Sequence, residues 1–468
     1  MLDKILNNPK IKKLNHNPIF EELYVIFVMC IALICWKFST LAGMVTISCI
    51  AGISLLILND FKYIAPCSLG FLFCNGEQIS DTKASIPIII CVVFFVGSLV
   101  VYMIWNGVHF RKAKHFKGMA LLSISCFLPI LWHRVIPNGK EFLYVMYLSY
   151  GLFLLFYFLM VSSLKEDSLH MVTLTMEYMA ILLAFECGLK VLYLHTIEPS
   201  KSILEFSYYI GWGLCNEAGI MMCFGLVFIF YNMLKKEKAY QIALSFVKLG
   251  LVCIGIILTT SRGTYLFGTI ETLALLIYCG IASKNRRTYF ICLAVFILGA
   301  LICMQCFIGI PELIHGISHN VFSDNLDANG RIELWNKGIQ MWEKYPGHKI
   351  FGAGVVAEFM LFNSQSGWGE VFVVYHSTLM ECLVAFGIVG FVFLLIHFYE
   401  KYKQLFVLDR TYMFILLIGY IVVDLYGLID NTYGMYYYML PLMMFMAALD
   451  NLPQRPNGLT EIGGGFYV

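Results

Sequence analysis

Charged side chains are what this sequence has least of. Lys, Arg, Asp and Glu supply 13% of its 468 residues and the AVILMFWYC set supplies 60%, roughly half the charge of a soluble domain and a larger apolar share. Those proportions exclude a soluble globular protein and describe a polytopic membrane protein, whose first partner is the lipid bilayer. Net charge is equally small, +2 with 32 Lys and Arg. These are spread through short loops, so nothing forms the basic face that nucleic acid requires. A signal-peptide cleavage pattern is also missing: Lys4, Lys10, Lys12 and Lys13 precede the first long apolar run without one, and no cleaved leader is expected. There is no internal repeat, low-complexity tract or soluble domain. The 16 cysteines lie mostly inside apolar segments, as Cys30, Cys49, Cys91, Cys126, Cys253 and Cys292 do, where an isolated thiol acts as a small hydrophobe. No pair combines metal-ligand spacing with histidine partners, and the polar stretch 309–375 has no cysteine at all. Nothing there points to a disulfide scaffold.

Long apolar runs are abundant. A helix needs about twenty predominantly apolar residues to cross a bilayer, and by that measure the chain is an all-α integral membrane protein with about 14 transmembrane helices. They are expected near residues 22–38, 41–58, 61–75, 86–106, 118–133, 141–161, 168–195, 208–232, 239–260, 263–282, 288–308, 376–398, 411–429 and 434–449. The third, with Pro66 and Gly70, is short; the fifth contains Pro129, which a membrane helix tolerates when neighbours satisfy the freed carbonyl. Residues 1–468 thus form one polytopic membrane domain. With the N-terminus in the cytoplasm, every strongly basic loop falls inside: Arg111, Lys112, Lys114 and Lys117; Lys235, Lys236 and Lys238; Lys284, Arg286 and Arg287; Lys401, Lys403 and Arg410. The same threading sends Arg262, the loop 309–375 and His376 to the outer face. It leaves 450–468, with Pro453, Pro456 and Gly463 to Gly465, as a short cytoplasmic tail.

Three polar features stand out against this background. Thr259-Thr260-Ser261-Arg262-Gly263-Thr264 sits where one apolar segment ends and the next begins. A guanidinium cannot be neutralised and costs roughly +2.5 to +3.5 kcal/mol in hydrocarbon on insertion scales, so Arg262 either snorkels to headgroups or meets an anion. The loop 309–375 is the one segment long enough for soluble-like work. In it Asn329-Gly330 marks a helix start, and Ile332, Trp335, Ile339 and Trp342 recur on one face, as in an amphipathic helix lying on the membrane with its tryptophans at headgroup depth. Tyr345-Pro346-Gly347 ends it, and Arg331 occupies its first turn, where free amides also favour an anion. His376 then opens the next apolar span. Each residue has a plainer reading: headgroup snorkelling for either arginine, hydrogen-bonded packing for His376, a solvated loop for His348, a buried carboxyl for Glu217 beside Asn216. Glu186, Lys190 and Lys248 are expected to pair or snorkel.

The order of the set carries more than its members. It runs Gly211-Trp212-Gly213, Asn216-Glu217, Thr260-Ser261-Arg262-Gly263, Asn329-Gly330-Arg331 with Trp335, and Tyr345-Pro346. Gly352-Ala353-Gly354, then His376 with Glu381 and Gly387-Ile388-Val389-Gly390 complete it. From about Gly211 to Gly390 this resembles the O-antigen ligase and Wzy-type polysaccharide polymerase superfamily, GT-C-like enzymes that use undecaprenyl-diphosphate-linked glycans at the outer face of the cell membrane. The resemblance implies that Arg262 and Arg331 bind diphosphate and that His376 is catalytic, with Ser261, Asn216, Glu217, Trp335 and Glu381 as supporting residues. Where the family commonly shows His-Asn, this chain has His376-Ser377, so any role of the amide is lost or passed to Ser377.

The chemistry suits these residue types. A lipid diphosphate leaves as a stable anion, so its departure needs positive charge more than a general acid, and two arginines supply that. The attacking sugar hydroxyl must lose a proton, and an imidazole titrating near about 6.5 can take it. No acidic DxD-like cluster occurs in the outer loops, Asp324 and Asp327 reading as turn residues, so neither metal nor other cofactor is expected. The leading expectation is a metal-independent glycosyltransferase that polymerises lipid-linked repeat units, with donor, acceptor and a chain-length regulator as partners. The alternative is ligation of lipid-linked glycan to another acceptor. A lipid-linked sugar transporter or flippase ranks third, since the polar residues gather at one face and no repeat is visible.

Overall fold

A computed structural model describes residues 14–76, 86–107, 113–127, 140–307, 309–322, 331–352, 375–433 and 435–452. The lysines before residue 14, Arg111, Lys112, Pro129, Asp324, Asp327, Asn329, Gly330, Ala353, Gly354 and the tail from 453 lie outside them. Among the described residues the fold is all-helical, with one isolated bridge between Tyr209 and Leu214. The helices are α1 Pro18–Phe38, α2 Thr40–Leu58, α3 Ile64–Phe73, α4 Ile86–Asn106, α5 Lys117–Phe127, α6 Lys140–Ser163 and α7 Ser168–Ile197. After these come α8 Cys215–Met233, α9 Ala239–Leu258, α10 Arg262–Ala282, α11 Arg286–Phe307 and α12 Ile310–Phe322. The rest are α13 Arg331–Glu343, α14 Pro346–Phe351, α15 Thr378–Gln404, α16 Arg410–Tyr426 and α17 Tyr436–Asp450.

Each segment expected to span overlaps one of these helices, but among the described residues eight are long and apolar enough to cross a membrane by length and composition: α1, α2, α4, α7, α8, α9, α10 and α15. The number fourteen is therefore not shown. Several of the others are short, such as the ten-residue α3, or carry a proline, as α17 does at Pro441. Local signals set the boundaries. Asn17 caps α1 with Pro18 at its first position. Ser39 both ends α1, donating its N–H to Cys35 O, and caps α2 by accepting from Ala42 N–H.

The most deeply buried span is α8, which packs against α7, α9, α10 and α16. In hydrocarbon no hydrophobic force draws helices together, so close backbone approach does the work. Gly225 lies on Ala180 of α7 and Gly219 on Thr264 of α10, and a Cβ at either would collide with that neighbour. The bundle has two unlike ends. At one, Lys284 pairs with Glu237 across two loops at 3.1 Å, Lys235 lies over the Tyr412 ring, and Lys248 is held by Glu177 at 2.6 Å and Glu22 at 3.1 Å. At the other, Tyr208 donates to Leu258 O, Thr260 to Phe206 O and Tyr436 to Trp212 O.

One expectation fails in an informative way. The segment 376–398 is not a straight span, because α15 breaks at Gly387 (φ 68°, ψ −167°). Thr378 and Tyr402 line the same cavity, whereas a straight helix would separate them by about 36 Å. Thr378 N–H also donates to Gly427 O and Tyr402 to Asp424, three residues apart on the end of α16. The helix therefore folds back into two arms, 378–386 and 388–404. Folding back draws Lys401, expected in a basic loop, into the interior. There it is fully buried, bonded to Asp424 at 2.6 Å and ringed by Phe398, Tyr402, Tyr420 and Tyr433.

Candidate functional site

The polar residues singled out in the sequence gather at the end of the bundle opposite the lysine loops, around a carboxylate the sequence reading passed over. Asp430 lies in the short break between α16 and α17. Its Oδ1 is 3.1 Å from His376 Nδ1 and accepts from Asn431 N–H at 2.9 Å; its Oδ2 is 3.8 Å from the Arg331 guanidinium. Since a carboxylate only accepts, the Nδ1 of His376 carries the hydrogen and Nε2 is left as the basic nitrogen. The His376 side chain remains 33% exposed while Asp430 is 11% exposed, so the imidazole can meet a solute and its partner cannot readily leave. Arg331 approaches Asp430 as a charge rather than as a bonded fork.

Local structure explains why these groups converge. Arg331 is the first residue of α13, and α13 is pinned beside the histidine: Trp335 Nε1 donates to Tyr375 O at 2.7 Å, and Gly338 lies against the Tyr375 ring. His376 sits in a left-handed conformation, φ 48°, uncommon for a residue with a side chain and typical of strain held at functional sites. Ser377 next to it caps α15 by accepting from Met380 N–H, so its side chain serves a helix end. Thr378 and Thr432 hydroxyls, 3.2 Å apart, tie that end to the Asp430 loop.

Arg262 is the exposed first residue of α10, whose cap is Ser261. Thr260 before it is also left-handed, φ 54°. Gly263 after it packs on Tyr426 and Ile429, which brings the helix start to the Asp430 loop. Tyr426 knits the pieces together: its phenol lies 3.5 Å from both Asp430 Oδ2 and Asn216 O, within reach of Ser261 and Thr264. Beside the cluster a cavity of about 340 Å³ opens between the arms of α15 and α16, edged by Thr378, Gly427 and Thr432 and floored by Phe398, Tyr402 and Leu425.

Several expected supporting residues also hold backbone, and Glu217 interacts in addition with Tyr437, Asp430 and His376. Glu217, in the first turn of α8, accepts from Leu214 N–H at 2.7 Å, and Glu381 accepts from Tyr375 N–H at 3.1 Å. Asn216 contributes its carbonyl. The tryptophans expected at headgroup depth turn onto protein, because their indole N–H groups find carbonyls there: Trp335 on Tyr375 and Trp342 on Lys349. His348, expected as a solvated loop residue, lies half-buried on α14 and bonds to Met341 O. Lys248 is paired as expected, and Glu186 takes the Trp212 indole N–H at 2.9 Å. Among the described residues no group of three or more His, Cys, Asp or Glu side chains could hold a metal ion.

Residues 247–395 match the family described as O-antigen ligase, Wzy_C. Over this stretch the chain is similar to the O-antigen ligase family. Proteins of that family are lipid-linked glycan transferases. The matched stretch runs from within α9 into α15 and includes Arg262, Arg331 and His376, whereas Asp430, Tyr426 and Glu217 lie on its flanks. No curated protein matches the chain by sequence.

Proposed function

We propose that the protein is a membrane glycosyltransferase that joins undecaprenyl-diphosphate-linked oligosaccharide repeat units into a surface polysaccharide. The observation that carries this reading is the convergence of a carboxylate-oriented histidine and an arginine on one recessed loop, with a second arginine on the adjoining helix start, inside the stretch similar to the O-antigen ligase family. His376 Nε2 takes the proton of the acceptor hydroxyl as its oxygen bonds to the anomeric carbon of the donor sugar. The bond from that carbon to the diphosphate oxygen breaks, and the diphosphate departs as an anion against Arg262 and Arg331. Asp430 fixes the tautomer and stabilises the imidazolium that forms. The neighbouring cavity is at the small end of the range for ligand sites and suits part of an apolar chain. The arrangement needs the site end outside and the lysine loops in the cytoplasm, as the positive-inside rule favours.

The description of the matching family favours a second reading, transfer of a finished glycan to a different acceptor. Purified protein given lipid-linked repeat units alone separates the two: a ladder of polymers supports polymerisation, and product only after a separate acceptor is added supports ligation. In either assay Arg262→Ala and Arg331→Ala should each abolish or severely reduce product while the protein stays inserted. Arg→Lys should rescue incompletely, because a point charge cannot make bidentate phosphate contacts. Normal product from both alanine variants would return the arginines to headgroup snorkelling.

A further inference from the structure

Two left-handed glycines face each other at the turn of α15. Gly387 is the break itself, and Gly352, at φ 88°, ends α14 directly against it. A Cβ on Gly387 would lie 2.5 Å from Gly352 N and Ile350 O, and a Cβ on Gly352 would collide with Ala385 O and Phe386 N. Both obstacles are backbone, which cannot rotate away as a side chain can. We propose that Gly352 and Gly387 form a backbone joint that sets the position of Arg331 relative to His376, so that both glycines are positioning residues for the reaction. The catalytic consequence rests on the function proposed above; the joint itself does not.

The linkage runs through named contacts. The arm 378–386, about 13 Å long at 1.5 Å per residue, has His376 at its base and the joint at its tip. Beside it α13 carries Arg331 at its own base, and its far end is locked to α14 by Trp342 Nε1 donating to Lys349 O at 3.2 Å and His348 Nδ1 donating to Met341 O at 3.1 Å. Leu334, Trp335, Met341 and Trp342 pack with Tyr375 and Val384 between the two. The arm and α13 are thus clasped at the tip by glycine backbone and tied near the base by the Trp335 bond to Tyr375. Arg331 lies beyond that base tie with only a 3.8 Å approach to Asp430, so displacement at the tip is passed to the guanidinium. A misplacement of about 1 Å at a reacting centre can cost about 10² in rate.

The test pairs a distance with an epistasis measurement. Gly352→Ala and Gly387→Ala are each made in a cysteine-reduced protein spin-labelled at Glu333→Cys and Leu428→Cys, with Gly347→Ala as control. Gly347 lies on α14 in open space and has no left-handed backbone. Both test variants should shift or broaden the label distance, and the control should not. With lipid-linked repeat units, Gly352→Ala should lower turnover by about 10², yet add little to the loss in an Arg331→Ala background. A merely destabilising change would multiply the loss in either background. Should Gly387→Ala fail to insert, Gly352→Ala decides alone. Unchanged label distances overturn the joint whatever the protein catalyses; shifted distances with full turnover, or full multiplication in the Arg331→Ala background, overturn the positioning role.

Discussion

The two ends of the bundle treat charge in opposite ways. Toward the lysine loops, buried ions are tightly matched: Lys62 with Glu21 at 2.7 Å, their side chains 1% and 7% exposed, and Lys248 with Glu177 at 2.6 Å. At the other end Arg331 stands 3.8 Å from Asp430, His376 shares the same carboxylate, and Thr260 and His376 hold left-handed backbones. Buried ions must be paired or they destabilise the fold. Loosely paired ions on strained backbone gain nothing for the fold comparable to their cost, which is the pattern of groups kept for a ligand. On the function proposed here, one end stays closed and the other receives an anion.

That contrast predicts a separation of phenotypes. The largest effect on stability should come from Lys248→Ala, which strands Glu177 and should cost about 3–5 kcal/mol. Thermal melting in detergent should show a marked fall in the midpoint or failure to accumulate, and an unchanged midpoint would mean that the lysine end is not the rigid one. Asp430→Asn should behave in the reverse sense. An amide can offer His376 either a donor or an acceptor, so the tautomer is no longer fixed, and turnover should fall roughly tenfold to a hundredfold with melting nearly unchanged. If melting collapses while specific turnover holds, Asp430 belongs with the structural ions. The smallest effect is expected from Ser261→Ala, which removes the cap of α10 and should cost about 1 kcal/mol, read as a modest fall in the midpoint with product still formed.

Much of the fold was legible because apolar runs announce helices: segments such as 22–38, 168–195 and 239–260 fall on α1, α7 and α9. The number of crossings was not, because α3, α5 and α17 are short and composition alone does not say how deeply a short helix reaches. The fold-back of α15 was hidden for a related reason. Gly387 lies in a continuous apolar run, and only its left-handed backbone, enforced by Gly352, reveals the break. In the candidate site, Arg262 and His376 stood out as polar residues at the edge of apolar runs and Arg331 as the first residue of an amphipathic loop helix. Asp430 was passed over because it lies in the short polar break Asp430-Asn431-Thr432 between two apolar runs. The usable signal was that the threading which puts His376 outside puts this lone acid on the same face. Glu381 and Glu217 also hold backbone N–H groups, as a carboxylate in the first turn of a helix readily does, while Glu217 stays close enough to Asp430 and His376 to interact with both.

The central claim is that the loosely held charges act on substrate and not on the fold, and His376→Gln tests it most directly. Glutamine keeps much of the size and some of the hydrogen bonding but cannot take up and carry a proton. Measured together on one reconstituted preparation, turnover of lipid-linked donor should fall by about 10² to 10⁴, with donor binding and thermal midpoint close to the parent. Near-normal turnover across pH 6 to 8, or a loss of turnover matched by a loss of folded protein, would contradict the account.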